Sequence, residues 1–307
     1  MSGIIQTSDL TKQYASLKAV DSVNLEIKKG EIYGFLGLNG AGKTTTIRMM
    51  LGMIRPTRGD VYLFGQKIEP GTRDIWNRVG HLVEIPYSYP ELTVDENLEI
   101  FRRIRKISTP GDKDEIISKL YLDQYRNVKA GNLSLGNAQR LGIAKAMMHK
   151  PDLLILDEPA NGLDPEGIVQ IREVLRDLAE KHKVSVFISS HILGEISILA
   201  NRIGIIHKGR IVREADTEHL DRERLRALYI NTDNNQGALA LLKEMNYSPE
   251  INTDMEIRIS SAEALNNPQK ISTLLVNNGF PPSKLVIIEE DLEHYFLRII
   301  HSNSSKT

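Results

Sequence analysis

GLNGAGKTT, residues 37–45, constrains this chain more than any other stretch. It fits G-x-x-x-x-G-K-[ST] and lies between an apolar run, GEIYGFLG (30–37), and a helical one, TTTIRMML (44–51). Strand, glycine-rich loop and helix in that order form a cradle for phosphate. The glycines let successive backbone N–H groups face one anion, and the helix N-terminus favours its charge. Asn39, Gly40, Ala41, Gly42, Lys43, Thr44 and Thr45 are therefore the expected nucleotide-binding set, with Lys43 reaching the β and γ oxygens and the Thr44 hydroxyl offered to Mg²⁺. A glycine-rich turn can spell this motif by accident, and the flanking strand and helix argue against that.

A second half for the same site follows downstream. LLILDEP (153–159) is an apolar strand that ends on Asp157, with Glu158 next. Adjacent carboxylates at a strand end point in different directions, so Asp157 can serve the metal while Glu158 addresses a water as general base. The plain alternative, two acids closing a strand before a proline turn, is disfavoured by the phosphate loop upstream. His191, in ISSHILGEI, follows another apolar strand that should lie beside DLLILD. There it can donate to the γ-phosphate or orient the water; taken alone it reads as a capping or surface residue.

Short Ile-, Val- and Leu-rich runs alternate with amphipathic stretches to about residue 215, which predicts α/β packing. VGHLV (79–83), DLLILD (152–157), VSVFIS (184–189) and RIGIIH (202–207) read as strands, and the apolar continuity of DLLILD and VSVFIS suits parallel strands covered on both faces. IIQTSDL, VNLEI and VYLF alternate more, as an antiparallel edge sheet does. From about 90 to 150 the pattern turns helical: Thr93 and Glu96 are spaced as a capping box, and QRLGIAKAMM continues the insert. Asp164 and Pro165 then open a long amphipathic helix. The division expected is a nucleotide-binding domain over 1–221, a small α+β domain over 222–301 and a disordered tail at 302–307.

Charge excludes some classes of partner. With 39 Lys plus Arg against 40 Asp plus Glu, the net charge of -1 gives no reason to expect nucleic acid or an anionic bilayer as a partner. The absence of cysteine excludes disulfides and thiolate zinc sites. The start lacks the pattern of a signal peptide, and no apolar run approaches the ~20 residues that span a bilayer. The expectation is a cytoplasmic protein whose membrane link runs through another chain.

One motif has no use within this scheme. In NLSLGNAQRLGIAKAM (132–147), Ser134 and Gly136 open a helix and so form a second anion site. Alone, LSLGN would read as an ordinary serine cap after an Asn turn. The ordered series GLNGAGKTT, LSLGN, LLILDEP, NGLD and SSH, however, resembles the ATP-binding subunit of ABC transporters over roughly residues 4–221. IIQTSDLTKQY, IYGFLGLNGAGKTTTIRM, LLILDEPANGLDP and FISSHILGEI are further similar to the ATPases of bacitracin-resistance and lantibiotic-immunity exporters.

The resemblance implies a P-loop NTPase fold in which two identical chains pack head to tail, so that Ser134 and Gly136 of one bind the γ-phosphate of ATP held by the other. It implies that Tyr14 stacks on adenine, although a Tyr closing a strand is common. ANGLD (160–164), with Asp164, becomes the loop linking one site to the other. Two positions depart from the family pattern: Leu135-Gly136-Asn137 replaces Gly-Gly-Gln, and Glu84 stands after VGHLV where Gln is usual. A carboxylate there can ligate Mg²⁺ but cannot donate to water as an amide does; the alternative is a Glu facing solvent at a strand end. IPYSYPELT, after Glu84, either receives a short helix of a membrane subunit or packs internally. EEDLEHYFLRI resembles the helical ending of ATPases that pair with ABC-2-type permeases. The function implied is ATP hydrolysis driving an integral membrane permease that removes a peptide antibiotic. An ABC ATPase of DNA repair or translation, or an exporter of an unrelated substrate, is the rival reading. No coiled-coil insert and no second cassette is present to support the former.

Overall fold

The computed structural model describes residues 3–108, 111–252 and 254–304. They fall into two compact units, one reaching Glu218 and one spanning His219–Ser302.

In the first unit the chain runs β1 (Gly3–Tyr14), β2 (Leu17–Lys28), β3 (Ile32–Leu36), α1 (Lys43–Met50), β4 (Arg58–Leu63), β5 (Gln66–Lys67) and β6 (Val79–Leu82). Three helices follow, α2 (Val94–Ile104), α3 (Gly111–Lys119) and α4 (Leu135–Met147). Then come β7 (Leu153–Asp157), α5 (Pro165–His182), β8 (Ser185–Ser190), α6 (Leu193–Leu199), β9 (Arg202–His207), β10 (Arg210–Asp216) and α7 (Thr217–Glu223), which crosses into the second unit.

Six strands form the central sheet in the order β10-β9-β3-β8-β7-β6, parallel except for β10 at the edge. Every residue of β3, β7 and β8 is buried, which explains why these runs are apolar without alternation. β1, β2, β4 and β5 form a separate antiparallel sheet in the order β2-β1-β4-β5. Between the sheets lies the core, with Ile5, Leu10 and Ile27 on one side, Tyr33, Phe35 and Phe187 on the other, and Ile47 and Met50 of α1 among them. The Phe187 ring lies 5.7 Å from Tyr33 and 5.2 Å from Phe35, and each such buried side chain contributes about 1.5–3 kcal/mol.

Caps set the helix starts. Thr93 and Glu96 form the reciprocal box at α2, Ser134 caps α4 by accepting from the Asn137 amide at 3.2 Å, and Asp164 caps α5 ahead of Pro165.

The second unit contains β11 (Arg226–Thr232), α8 (Asn235–Glu244), β12 (Glu250–Ile251), β13 (Ile257–Ile259), α9 (Ala262–Asn266), α10 (Pro268–Asn277), β14 (Pro282–Glu289) and α11 (Leu292–Ser304). Its antiparallel sheet has the order β12-β13-β11-β14, and Leu228, Ile230, Leu242, Ile257, Ile259 and Leu275 fill its core. Helix α11 extends through 302–304, half of the stretch expected to be a tail; residues 305–307 lie outside the described residues. Among the described residues no helix is long and apolar enough to cross a membrane.

Candidate functional site

The C-terminal ends of β3, β7 and β8 deliver the first group of side chains to one place. β3 runs straight into the glycine loop, where Gly40 and Gly42 adopt φ 78° and 110°. Any side chain at Gly42 would meet the Ala19 carbonyl, its Cβ standing 2.5 Å away, so the turn into α1 requires glycine. Lys43, at the first position of α1, is 6% exposed. Its Nζ donates to the carbonyls of Gly37 (2.6 Å) and Leu38 (3.3 Å) and lies 3.1 Å from Glu158 Oε1.

Thr44 Oγ1 donates to Asp157 Oδ2 at 2.8 Å. The parallel pairing of β7 with β8 sets Asp157 opposite Ser189, whose hydroxyl donates to Asp157 Oδ1 at 2.6 Å and accepts from the Glu158 amide at 3.0 Å. Glu158 Oε2 lies 2.9 Å from His191 Nδ1. Lys43, Thr44, Asp157, Glu158 and His191 are thus brought together. One turn beyond His191 on α6, burial raises the Glu195 carboxyl; the nearby imidazole opposes this and the Glu158 charge adds to it.

Two features of Glu158 fit it to a reacting water. Its φ of 49° is left-handed, which costs a non-glycine residue about 1–2 kcal/mol, and its carboxylate meets Lys43 and His191 rather than the Thr44 and Ser189 partners of Asp157. Its Oε1 is buried and accepts no directed hydrogen bond, although the Lys43 charge is close by. That leaves a buried acceptor beside the phosphate loop. The residues also fit Mg²⁺: Thr44 Oγ1 and the Asp157 carboxylate are hard oxygen donors already in contact, and Mg²⁺ is commonly held by one or two such groups together with phosphate oxygens.

A second group collects elsewhere. Ser134 and Gly136 share a hollow of about 500 Å³ with Gly162 and Asp164 that neither Lys43 nor Glu158 lines. A Cβ on Gly136 would lie 2.7 Å from the Gly162 carbonyl, so the missing side chain lets the start of α4 press on that loop. Asp164 accepts from the Gly167 amide at 2.9 Å and so is occupied as a helix cap.

The remaining expected residues are dispersed. Tyr14 ends β1 with its ring nearly half exposed and Lys12 Nζ 5.1 Å from its centroid. Glu84 stands just past β6 at φ 59°, and its carboxylate forms an ion pair with Arg48 of α1 rather than joining Thr44 and Asp157. The turn directs it to the face of α1 that carries a guanidinium. Glu84 also lines a groove of about 500 Å³ with Ile85, Tyr87, Phe101 and Lys145. Ile85 and Tyr87 are 82% and 77% exposed, so the aromatic loop is not packed inward. Burial pushes the Lys145 ammonium down to about 8, while its Nζ donates to the Tyr87 carbonyl and to Ser88 Oγ, both at 2.9 Å.

Sequence reasoning missed Ser189, Gln139 and Arg48. Ser189 could have been found only through the β7–β8 register; Gln139 follows LSLGN within one and a half turns and carries no motif of its own.

The ABC transporter family model matches residues 20–161. The bacitracin transport ATP-binding protein BcrA of Bacillus licheniformis is 43% identical over 302 residues, covering 98% of either chain. The lantibiotic transport ATP-binding protein SrtF of Streptococcus pyogenes is 34% identical over 228 residues, 74% of this chain and 96% of the relative. A dimeric ATP-binding cassette solved in a post-hydrolysis state with ADP and Pi is similar at a TM-score of 0.65 and 26% identity, covering 69% of this chain and 98% of that one. The chain belongs to the ABC transporter ATP-binding family and is the ATPase subunit of a transporter.

Proposed function

We propose that two copies of this chain close on two ATP molecules, hydrolyse them and reopen, and that this cycle drives an integral membrane permease of ABC-2 type to remove a bacitracin- or lantibiotic-like peptide. The observation that carries the reading is the separation of the two anion sites. The hollow at Ser134 and Gly136 has a helix N-terminus but neither the phosphate loop nor Glu158, whereas the pocket at Lys43 has both and lacks that second helix end. Each half supplies what the other lacks if the partner copy is turned head to tail.

Within the closed pair, Lys43 would leave the Gly37 and Leu38 carbonyls for the phosphate oxygens, where its charge is of more use. Glu158 takes the proton of the attacking water through Oε1, the oxygen that Lys43 gives up when it turns to the phosphate, and His191, held at Oε2, fixes the carboxylate's orientation. Thr44 and Asp157 are the residues that would hold Mg²⁺, which when bound neutralises charge on the β and γ oxygens. The groove beside Glu84, with its exposed Ile85 and Tyr87, suits a short helix of the permease. Such an arrangement places the chain on the cytoplasmic face of the membrane, held there by its partner.

The substrate class rests on the likeness to BcrA and SrtF. Deleting the gene and challenging cells with bacitracin and a lantibiotic tests it: heightened sensitivity, restored by the wild-type chain and not by Glu158→Gln, is expected. Unchanged sensitivity to both would leave the ATPase without this cargo.

A further inference from the structure

The backbone of Glu158, in its left-handed conformation, is held from both sides by buried side chains. On one side its N–H donates to Ser189 Oγ at 3.0 Å, and Ser189 is completely buried. On the other its carbonyl accepts two bonds: from the Asn161 amide at 3.1 Å, which closes the turn, and from Gln139 Nε2 at 3.2 Å. Gln139 is 3% exposed and lies on α4, whose N-cap is Ser134. Five residue steps take the helix from Ser134 to Gln139, about 7.5 Å along the axis, too short a distance for the helix to absorb a shift by bending. The base of one ATP site and the anion site that faces the neighbouring chain are therefore joined by a single stiff element and one amide.

We propose that Gln139 is a positioning residue that sets Glu158 according to whether Ser134 and Gly136 have engaged the neighbour's γ-phosphate. This rests on the head-to-tail pairing proposed above. Engagement fixes the first turn of α4, Gln139 moves with that turn, and the Glu158 carbonyl follows. The carboxylate then points at the water only when the opposite site is filled. Linkage makes the effect reciprocal for binding: a Glu158 backbone held in register favours the α4 position that binds the neighbour's phosphate. Coupling of this kind needs two ligand sites and one element whose position both bias, and in this proposal α4 with its Gln139 arm is that element.

The test is a double-mutant cycle on the full chain with Ser134→Ala and Gln139→Met, the latter close in volume and lacking the donor. Gln139→Met alone is expected to lower kcat about 5- to 10-fold with KM for ATP within about 2-fold, because positioning acts on the transition state rather than on nucleotide binding. In the double variant kcat should fall no lower than in Ser134→Ala. Multiplicative losses, or a Gln139→Met enzyme with unchanged kcat, would overturn the proposal. Should Gln139→Met lose its thermal unfolding transition, Gln139→Asn, which keeps an amide one methylene short of the carbonyl, is read by the same criteria. In the Glu158→Gln background, the Gln139 substitution should also weaken the ATP-dependent dimer on gel filtration. If the background variant forms no such dimer, the pairing itself fails and the inference with it; a stable dimer with multiplicative kinetics sinks the inference alone.

Discussion

Glu158 and Asp157 are neighbours in the chain and share a bridging serine, yet their surroundings assign them different work. Asp157 is 3% exposed and its two oxygens accept from Thr44 and Ser189, which fixes both in place as hard donors suited to a metal. Glu158 keeps one oxygen free of directed bonds. Glu158→Gln should lower kcat by about 10²- to 10⁴-fold, the usual share of a positioned base, while ATP still binds and the pair stays closed. Single-turnover assays and gel filtration with ATP check this; a variant that turns over normally would remove Glu158 from that role. Glu84 is a separate case. Exposed ion pairs contribute about 0–1 kcal/mol, so the pair with Arg48 is easily exchanged for another partner. Glu84→Gln should leave ATP affinity within about 2-fold, since so weak a contact contributes little to binding, and should change the hydrolysis rate or its response to the permease. Equal rates in both conditions would mark Glu84 as a surface residue. The carboxylates and Lys43 were legible in the sequence because each closes a strand or opens a helix within a motif. The Arg48 contact was not, because it depends on which way a left-handed turn aims one side chain.

At the scale of elements, α4 starts at Ser134, reaches the Glu158 carbonyl through Gln139 and packs on β6. Just past its end, His149 Nε2 donates to the Val79 carbonyl at 3.0 Å, and Nδ1 is buried without a partner. Burial, with help from the Arg105 charge, pushes this imidazole down to about 4; the Val79 carbonyl pulls the other way, and His81 adds to the depression. The unfolded chain therefore binds a proton near pH 6.5 that the folded chain refuses until about pH 4. Stability associated with neutral His149 is complete above 6.5 and is lost as pH falls towards 4. The loss is on the order of 1–2 kcal/mol, less than full linkage because the ring keeps some contact with water. Denaturant unfolding of wild type and His149→Phe at pH 7 and pH 5 should show the smaller decline for the variant; parallel declines would place the titration elsewhere. The strands β7 and β8 were legible because burial on both faces demands continuous apolar runs, and α2 and α5 because their caps are spelled out. The short strands β5 and β12 were not, since two residues carry no period.

At the scale of the whole molecule, the proposed catalytic centre is completed by a second copy of the chain. LSLGN and the phosphate loop can be read as separate motifs from the sequence, but only the folded chain shows that Ser134 opens onto a hollow of its own, away from Lys43 and Glu158. The most direct measurement is the ATPase rate per chain as a function of protein concentration, followed from dilute monomer to concentrated sample at saturating ATP and Mg²⁺. The rate per chain should rise with concentration and level off as pairs form. A rate per chain that stays constant down to dilutions at which sedimentation finds only monomer would contradict the shared site.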